Sequence, residues 1–249
     1  MYKPGKFNFR ASYAAGFRTP TLSELYATDI AKKNDRLTIG NLDLKSEKNN
    51  YFSLSAEYVH ERFSVSVNAF YNNIRDMIDY NTIATGDKAM EQYGHKEVRQ
   101  RDNIAEAKVH GINVSANAYL GAGFNLSGGY THLNTQDVEL GQPIDKSIKN
   151  AYNINAQWAH SWKIYRLNIN LNGRINSKRF SKSYGYAPEY QLWNLNTRHS
   201  FNLKSVIIEP GCGMENLFDY MDDRPYNSNY ATLTPGRSFY ISLSLKFKS

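Results

Sequence analysis

Arg237-Ser238-Phe239-Tyr240-Ile241-Ser242-Leu243-Ser244-Leu245-Lys246-Phe247-Lys248 decides the fold. Phe239, Ile241, Leu243, Leu245 and Phe247 share one face, and Ser238, Tyr240, Ser242, Ser244 and Lys246 share the other. A period of two over this length predicts a long strand between an apolar and a polar medium. Globular strands average about five or six residues. A strand roughly twice as long, apolar on one side and serine-lined on the other, suits a membrane barrel with a wet lumen.

Working back from this strand, ten alternating segments are predicted, at 6–17, 48–60, 63–80, 103–121, 123–135, 149–160, 162–177, 189–202, 204–218 and 237–248. One face carries residues such as Phe52, Leu54, Ala56 and Tyr58, or Phe63, Val65, Val67, Ala69 and Tyr71. The opposite face carries Ser53, Ser55 and Glu57, or Arg166, Asn168, Asn170 and Asn172, which is too polar for a packed core. Tight turns are expected at 61–62, 122, 161 and 203, and long loops at 18–47, 81–102, 136–148, 178–188 and 219–236. Short turns on one rim and long loops on the other follow the outer-membrane barrel plan. Tyr13, Tyr71, Tyr130 and Tyr152 mark the long-loop end of the apolar face. Phe7, Tyr58, Phe63, Phe124, Trp158 and Tyr165 mark the short-turn end. Two such girdles fit two lipid–water interfaces. The competing reading makes them ordinary core aromatics, as in a β-sandwich.

Composition is consistent with this plan. Of 249 residues 41% are hydrophobic, and no run approaches the length of a membrane helix, about 18 residues. Barrel strands are only half apolar, so that absence does not argue for a soluble protein. Net charge is +7, but no run of five basic residues occurs, and nucleic acid is not expected as a partner. The lone Cys212 cannot form an internal disulfide. Met1-Tyr2-Lys3-Pro4-Gly5 lacks an apolar leader core, so either a signal peptide has been removed or the chain is the C-terminal part of a longer one.

Four boxes, in order, carry a family resemblance. Gly16-Phe17-Arg18-Thr19-Pro20 with Leu22, Glu24 and Leu25 resembles the FRAP-type box of TonB-dependent outer-membrane receptors. Gly40-Asn41-Leu42-Asp43-Leu44-Lys45-Ser46-Glu47 resembles the box that follows it, without its proline. Asn103-Ile104-Ala105-Glu106-Ala107 with His110-Gly111-Ile112, and Glu215-Asn216-Leu217-Phe218-Asp219 with Pro235-Gly236-Arg237, resemble later strand starts and the closing hairpin. The resemblance implies an all-β, antiparallel transmembrane barrel, with residues 1–249 supplying the last ten strands of about 22. It implies that the plug and N-terminal strands are absent, and that the TonB complex engages a missing N-terminal region. It places the protein in the lipid bilayer of a Gram-negative outer membrane. The implied activity is uptake of a scarce, bulky nutrient by a non-enzyme without a cofactor. A ferric siderophore is the first choice, ahead of haem or a corrinoid. Some haem-uptake members carry a histidine between the first two boxes, and segment 19–39 has none. Arg18, Pro20, Glu24, Asn41 and Glu47 are the motif residues, with Arg18 expected to hold the rim by pairing with carboxylates such as Glu24.

Ligand contacts are expected in the long loops. Tyr80, Tyr93, His95, Arg99 and Arg101 offer aromatics and cations for an anionic iron chelate or a planar ligand. Tyr184 and Tyr186 in the next candidate loop, and Tyr226 in the last, are added to them. The plainer reading is a set of solvated loops. The six histidines are dispersed without zinc spacing, and no metal site is assigned. Asp222-Asp223 has the character of a calcium ligand pair, but acids are common in loops and the plainer reading is preferred. No nucleophile motif occurs. The alternatives to gated uptake are a passive pore or adhesion barrel, a barrel enzyme, and a non-functional receptor fragment.

Overall fold

A computed structural model describes residues 2–181, 185–221 and 235–248. The strand β1 (Phe7–Arg18) leads into a short helix, α1 (Leu22–Tyr26), and a small hairpin, β2 (Thr28–Ala31) and β3 (Arg36–Ile39). Then come β4 (Glu47–Val59), β5 (Phe63–Thr85), the helix α2 (Gly86–Tyr93), β6 (Glu97–Gly121), β7 (Phe124–Asp137), β8 (Asn150–Trp162) and β9 (Tyr165–Asn176). A second hairpin, β10 (Arg179–Ser181) and β11 (Gly185–Ala187), precedes β12 (Tyr190–Asn202), β13 (Val206–Glu215) and β14 (Ser238–Phe247).

The ten long strands form one meander, β1-β4-β5-β6-β7-β8-β9-β12-β13-β14, antiparallel throughout. The sheet is not closed: β1 pairs with β4 and β14 with β13. All ten segments expected from the alternation are strands. The register puts like residues in rows, because paired residues share a face. Tyr13, Phe52, Tyr71 and His110 stand in successive register across four strands. The Tyr13 and Phe52 rings lie 4.7 Å apart, and Tyr130 stacks on Tyr152 at the same spacing, 4.7 Å. Near the short turns, Phe7–Tyr58, Trp162–Tyr165 and Tyr165–Phe201 lie at 4.8, 5.5 and 5.0 Å. Trp162 and Phe201 join the girdle residues expected there. His60, His160 and His199 lie among them: His160 sits 4.4 Å from the Trp162 ring and His199 Nδ1 is 2.7 Å from Tyr165 Oη.

Between the girdles no other described element packs against the apolar face. Ile241 is 87% exposed and Leu243 66%. The polar face carries an amide network in which Asn155 Nδ2 donates to Asn172 Oδ1 at 2.5 Å and Asn170 Nδ2 to Asn155 Oδ1 at 3.3 Å. Neither face is a sandwich interior, so the core-aromatic reading fails. An apolar face of this extent needs lipid. Val67→Arg is therefore expected to cost about 2–4 kcal/mol, whereas Asn68→Arg, one residue along on the polar face, should cost under about 1. Denaturant midpoints of the full receptor folded into liposomes check this. Equal costs would remove the assignment of faces.

Four stretches differ from expectation. The turn placed at 161 lies at Lys163 and Ile164, because the alternation continues through Ser161 and Trp162, with Lys163 taking up the left-handed bend at φ 41°. The stretch 81–102 is not a loop: β5 runs on to Thr85, β6 starts at Glu97, and α2 fills the gap. Register shifts at Ile74/Met77, Met77/Ile78 and Thr82/Ala84 break the period of two there, hiding the strand from the pattern. The stretches 18–47 and 178–188 likewise contain elements of their own.

Candidate ligand-binding rim

At the start of the β1–β4 connection, Thr21 caps α1. Its Oγ1 accepts from Glu24 N, and Glu24 Oε2 accepts from Thr21 N at 2.8 Å, a reciprocal capping box directly after Pro20. The box aims Glu24 at Arg18, the last residue of β1. Arg18 Nη1 meets Glu24 Oε2 at 2.9 Å, and Nε and Nη2 fork onto the two oxygens of Glu47 at 2.8 and 2.6 Å. Glu47 Oε1 also accepts from Ile78 N at 2.9 Å. One guanidinium thereby ties the ends of β1 and β4 to α1 and, through Glu47, to β5. The Arg18 guanidinium pulls the Glu24 carboxyl down to about 2. Asn41 extends the corner: its N–H donates to Glu24 O at 3.0 Å and its Oδ1 accepts from Asp43 N at 2.9 Å. All five motif residues thus stand within one corner or beside it.

Beyond the barrel strands a small packed unit rises. Its core is Ala84, Ala89 and Val98, with Leu37, Ile39, Ile83 and Tyr93 packed against it. It is the hydrophobic cluster of buried residues found among those described. The hairpin β2–β3 joins it by docking β3 parallel to β6. The candidate contact residues separate accordingly. Tyr80 and Arg101 are paired in register, with the Arg101 guanidinium 3.6 Å above the Tyr80 ring and Nη2 donating to Tyr80 Oη at 2.5 Å. Arg99 lies on the same face and pairs with Glu97 at 2.6 Å. Tyr93 instead turns into the core. His95 is engaged in a clasp, its Nδ1 2.9 Å from Asp35 Oδ1, while Asp35 O accepts from Lys96 N at 3.1 Å. That imidazole holds the Asp35 carboxyl below the usual carboxylate range. Tyr186 sits apart on β11, ring to ring with Phe180 at 5.3 Å. Tyr184 and Tyr226 lie outside the described residues, as do Asp222 and Asp223.

Arg36 and Thr38 join this face, which the sequence alone does not indicate. Both stand on the Arg99 face through the β3–β6 register. The alternation of Arg36-Leu37-Thr38-Ile39 was the available signal, and four residues are too few to read. Among the described residues no group of three or more His, Cys, Asp or Glu is placed to hold a metal ion. A separate groove of about 550 Å3 runs along the polar face of the barrel wall, lined by residues such as Asn117, Asn153, Asn155, Asn172, Arg174 and Asn194.

The family pattern described as "TonB dependent receptor-like, beta-barrel" matches residues 1–217. The chain belongs to the TonB-dependent receptor family. Its likeness to the "Probable TonB-dependent siderophore receptor PiuA" of Acinetobacter baumannii is 28% identity over 162 residues, covering 58% of this chain and 21% of that protein. Among solved structures, a mutant of the ferric enterobactin receptor PfeA of Pseudomonas aeruginosa superposes with a TM-score of 0.74 at 20% identity, over 98% of this chain and 38% of that one. The siderophore receptor PirA of the same organism gives 0.66 at 17% identity, over 98% and 40%. The copper transporter OprC gives 0.69 at 14%, over 97% and 37%. This chain therefore spans about a fifth of the length of its curated relative and two fifths or less of these solved receptors. Within the family, the open meander described above is barrel wall, the apolar face is its lipid surface, and the proteins are outer-membrane receptors and transporters.

Proposed function

We propose that residues 1–249 are the C-terminal part of the barrel of a longer TonB-dependent receptor, that they supply its last ten strands, and that the receptor takes up a ferric siderophore across a Gram-negative outer membrane. The observation that carries the ligand reading is the face above the barrel where Arg101 lies over Tyr80, with Arg99 beside them. Cations and an aromatic ring held by β-pairing suit a chelate that combines negative charge with planar rings. The siderophore relatives favour the same class. Haem and corrinoids remain the alternative ligands. In this reading the strands do no covalent chemistry. The rim captures the ligand, and the TonB complex, engaging the N-terminal region of the receptor, drives its passage.

Accumulation of radiolabelled ferric siderophore by cells producing the full receptor tests this. Uptake should require TonB and cease when the proton gradient is collapsed. Ligand-independent conductance in planar bilayers, with no TonB-dependent accumulation, would replace the proposal with a passive pore.

A further inference from the structure

The net charge of +7 is not spread evenly over the wall. The turns and chain ends of the short-turn rim carry Lys3, Lys6, Arg62, Lys163, Lys204 and Lys248, with Glu61 as the acid among them. The whole chain has 30 Lys and Arg against 23 Asp and Glu, so most of its excess charge lies at this one rim. All six bases are exposed. None has a carboxylate partner among the described residues, whereas Lys246, two residues before Lys248, is paired with Glu209 at 2.7 Å. Like charges left without counter-charges repel one another, and an anionic surface relieves that repulsion.

The densest part of the rim lies where two turns meet. Because β9 pairs with β12, the β8–β9 turn, with Lys163 and Ile164, stands beside the β12–β13 turn, with Leu203 and Lys204. Asn202 N donates to Ile164 O at 2.7 Å between them. Lys248 joins from the end of β14, its N–H donating to Ser205 O at 3.1 Å and its Nζ to Leu203 O at 2.8 Å. Each turn sets a lysine beside an aliphatic residue, and Ile164 is 57% and Leu203 39% exposed. At the boundary of headgroups and acyl chains such an aliphatic tip is buried while the neighbouring lysine reaches the phosphates. Trp162, Tyr165 and Phe201 occupy the adjoining strand ends on the lipid face, at the level where aromatic rings meet headgroups. The bases are strung along the rim, one or two to a turn or chain end. That spacing fits a flat layer of charge rather than one folded acidic partner.

We infer that the short-turn rim is a docking surface for anionic phospholipid in the leaflet it faces, centred on Lys163 and Lys204, and that it takes phosphatidylglycerol in preference to a zwitterionic lipid. The phosphate of phosphatidylglycerol carries an uncompensated negative charge. Phosphatidylcholine cancels the same charge with its own quaternary ammonium. A lysine near a membrane surface favours anionic lipid by about fivefold. The rim thereby fixes the depth of the wall in that leaflet, whatever ligand the opposite rim takes.

Trp158 and Trp162, on the lipid face of this rim, report on the lipid beside them. The full-length receptor is folded into phosphatidylcholine liposomes holding a fixed fraction of phosphatidylglycerol brominated on its acyl chains or, in parallel, of phosphatidylcholine brominated alike. The quenching lost when Trp158→Phe and Trp162→Phe are combined is the signal of this rim. At low salt that signal should show phosphatidylglycerol enriched about fivefold over phosphatidylcholine. Lys163→Asn combined with Lys204→Gln should lower the ratio to about twofold or less. Asparagine suits the left-handed backbone at Lys163, φ 41°. Lys48→Gln, which removes an exposed base at the far end of β4, should leave the ratio unchanged. Heat-modifiable gel mobility reports whether each variant is folded. Salt at about 1 M should bring the ratio in the unaltered receptor close to one, a reading that needs no variant to fold. Equal quenching by the two lipids at low salt overturns the proposal. So does a ratio that neither salt nor the folded lysine variant lowers, which would leave these bases to an acidic macromolecule on that side of the membrane.

Discussion

Arg18→Gln is expected to destabilise the rim by roughly 2–4 kcal/mol, between the values for an exposed and a buried ion pair. The Arg18 side chain is 43% exposed, but its partners Glu24 and Glu47 are only 13% and 16% exposed. Removing the guanidinium leaves two largely covered carboxylates facing one another with no cation between them. Glu47 then holds the Ile78 N–H without its own partner, so the loss should spread to the irregular part of β5. Arg18→Lys keeps the charge without the fork and should cost less. Hydrogen exchange at Thr21–Ala27 and at Ile78, with denaturant midpoints of the full receptor, reads both effects. Exchange unchanged in Arg18→Gln would mean that the cluster holds nothing.

The same cluster sets a pH dependence. Glu24 has its folded pKa depressed to about 2 from an ordinary 4.5. A depressed carboxylate contributes stability that is fully present above the unfolded value and lost as pH falls through the folded one. Protection factors at α1 in the unaltered receptor, taken against the intrinsic exchange rate at each pH, should therefore fall as pH drops from about 4.5 toward 2, and that acid dependence should be largely absent in Arg18→Gln.

Gly123→Ala is expected to cost about 3 kcal/mol or more and to reduce the yield of folded barrel. The β6–β7 turn is a run of left-handed residues, with φ of 90°, 48° and 86° at Gly121, Ala122 and Gly123. A Cβ on Gly123 would lie 1.9 Å from the carbonyl oxygen of Ala159 on β8. That obstacle is backbone, and Gly123 O accepts from Ala159 N at 3.0 Å, so moving apart breaks a ladder bond. Trp158 Nε1 also donates to Ala122 O at 3.1 Å, tying the girdle to this turn. Gly121→Ala is the control: φ is equally positive, but a Cβ there meets nothing within 4 Å. It should cost only the backbone term, about 1–2 kcal/mol. Denaturant midpoints and heat-modifiable mobility compare the two. A Gly123→Ala variant no worse than Gly121→Ala would show that the turn does not press on β8.

The meander was legible because its cause is local. Each long strand lies between lipid and water, so Phe239 through Phe247 had to alternate, and so did Phe63 through Tyr71. The girdles were readable for the same reason, down to Tyr130 beside Tyr152. The Arg18–Glu24 contact was within reach because a capping box spans four residues. Alternation lapses where β5 and β6 leave the bilayer plan and bulge, and there the sequence looked like a loop. Residue type alone marks Tyr93 and His95 as ligand contacts; the structure adds that Tyr93 packs against a core and that His95 closes a clasp. Sequence by itself therefore determined the barrel wall, its two faces and its short-turn rim. The tertiary structure alone decided the rim unit: Arg36 and Arg99 lie far apart in the chain and reach one face only through the parallel docking of β3 on β6. Pairing between distant segments leaves no period in either one, so no pattern along the chain could have announced it.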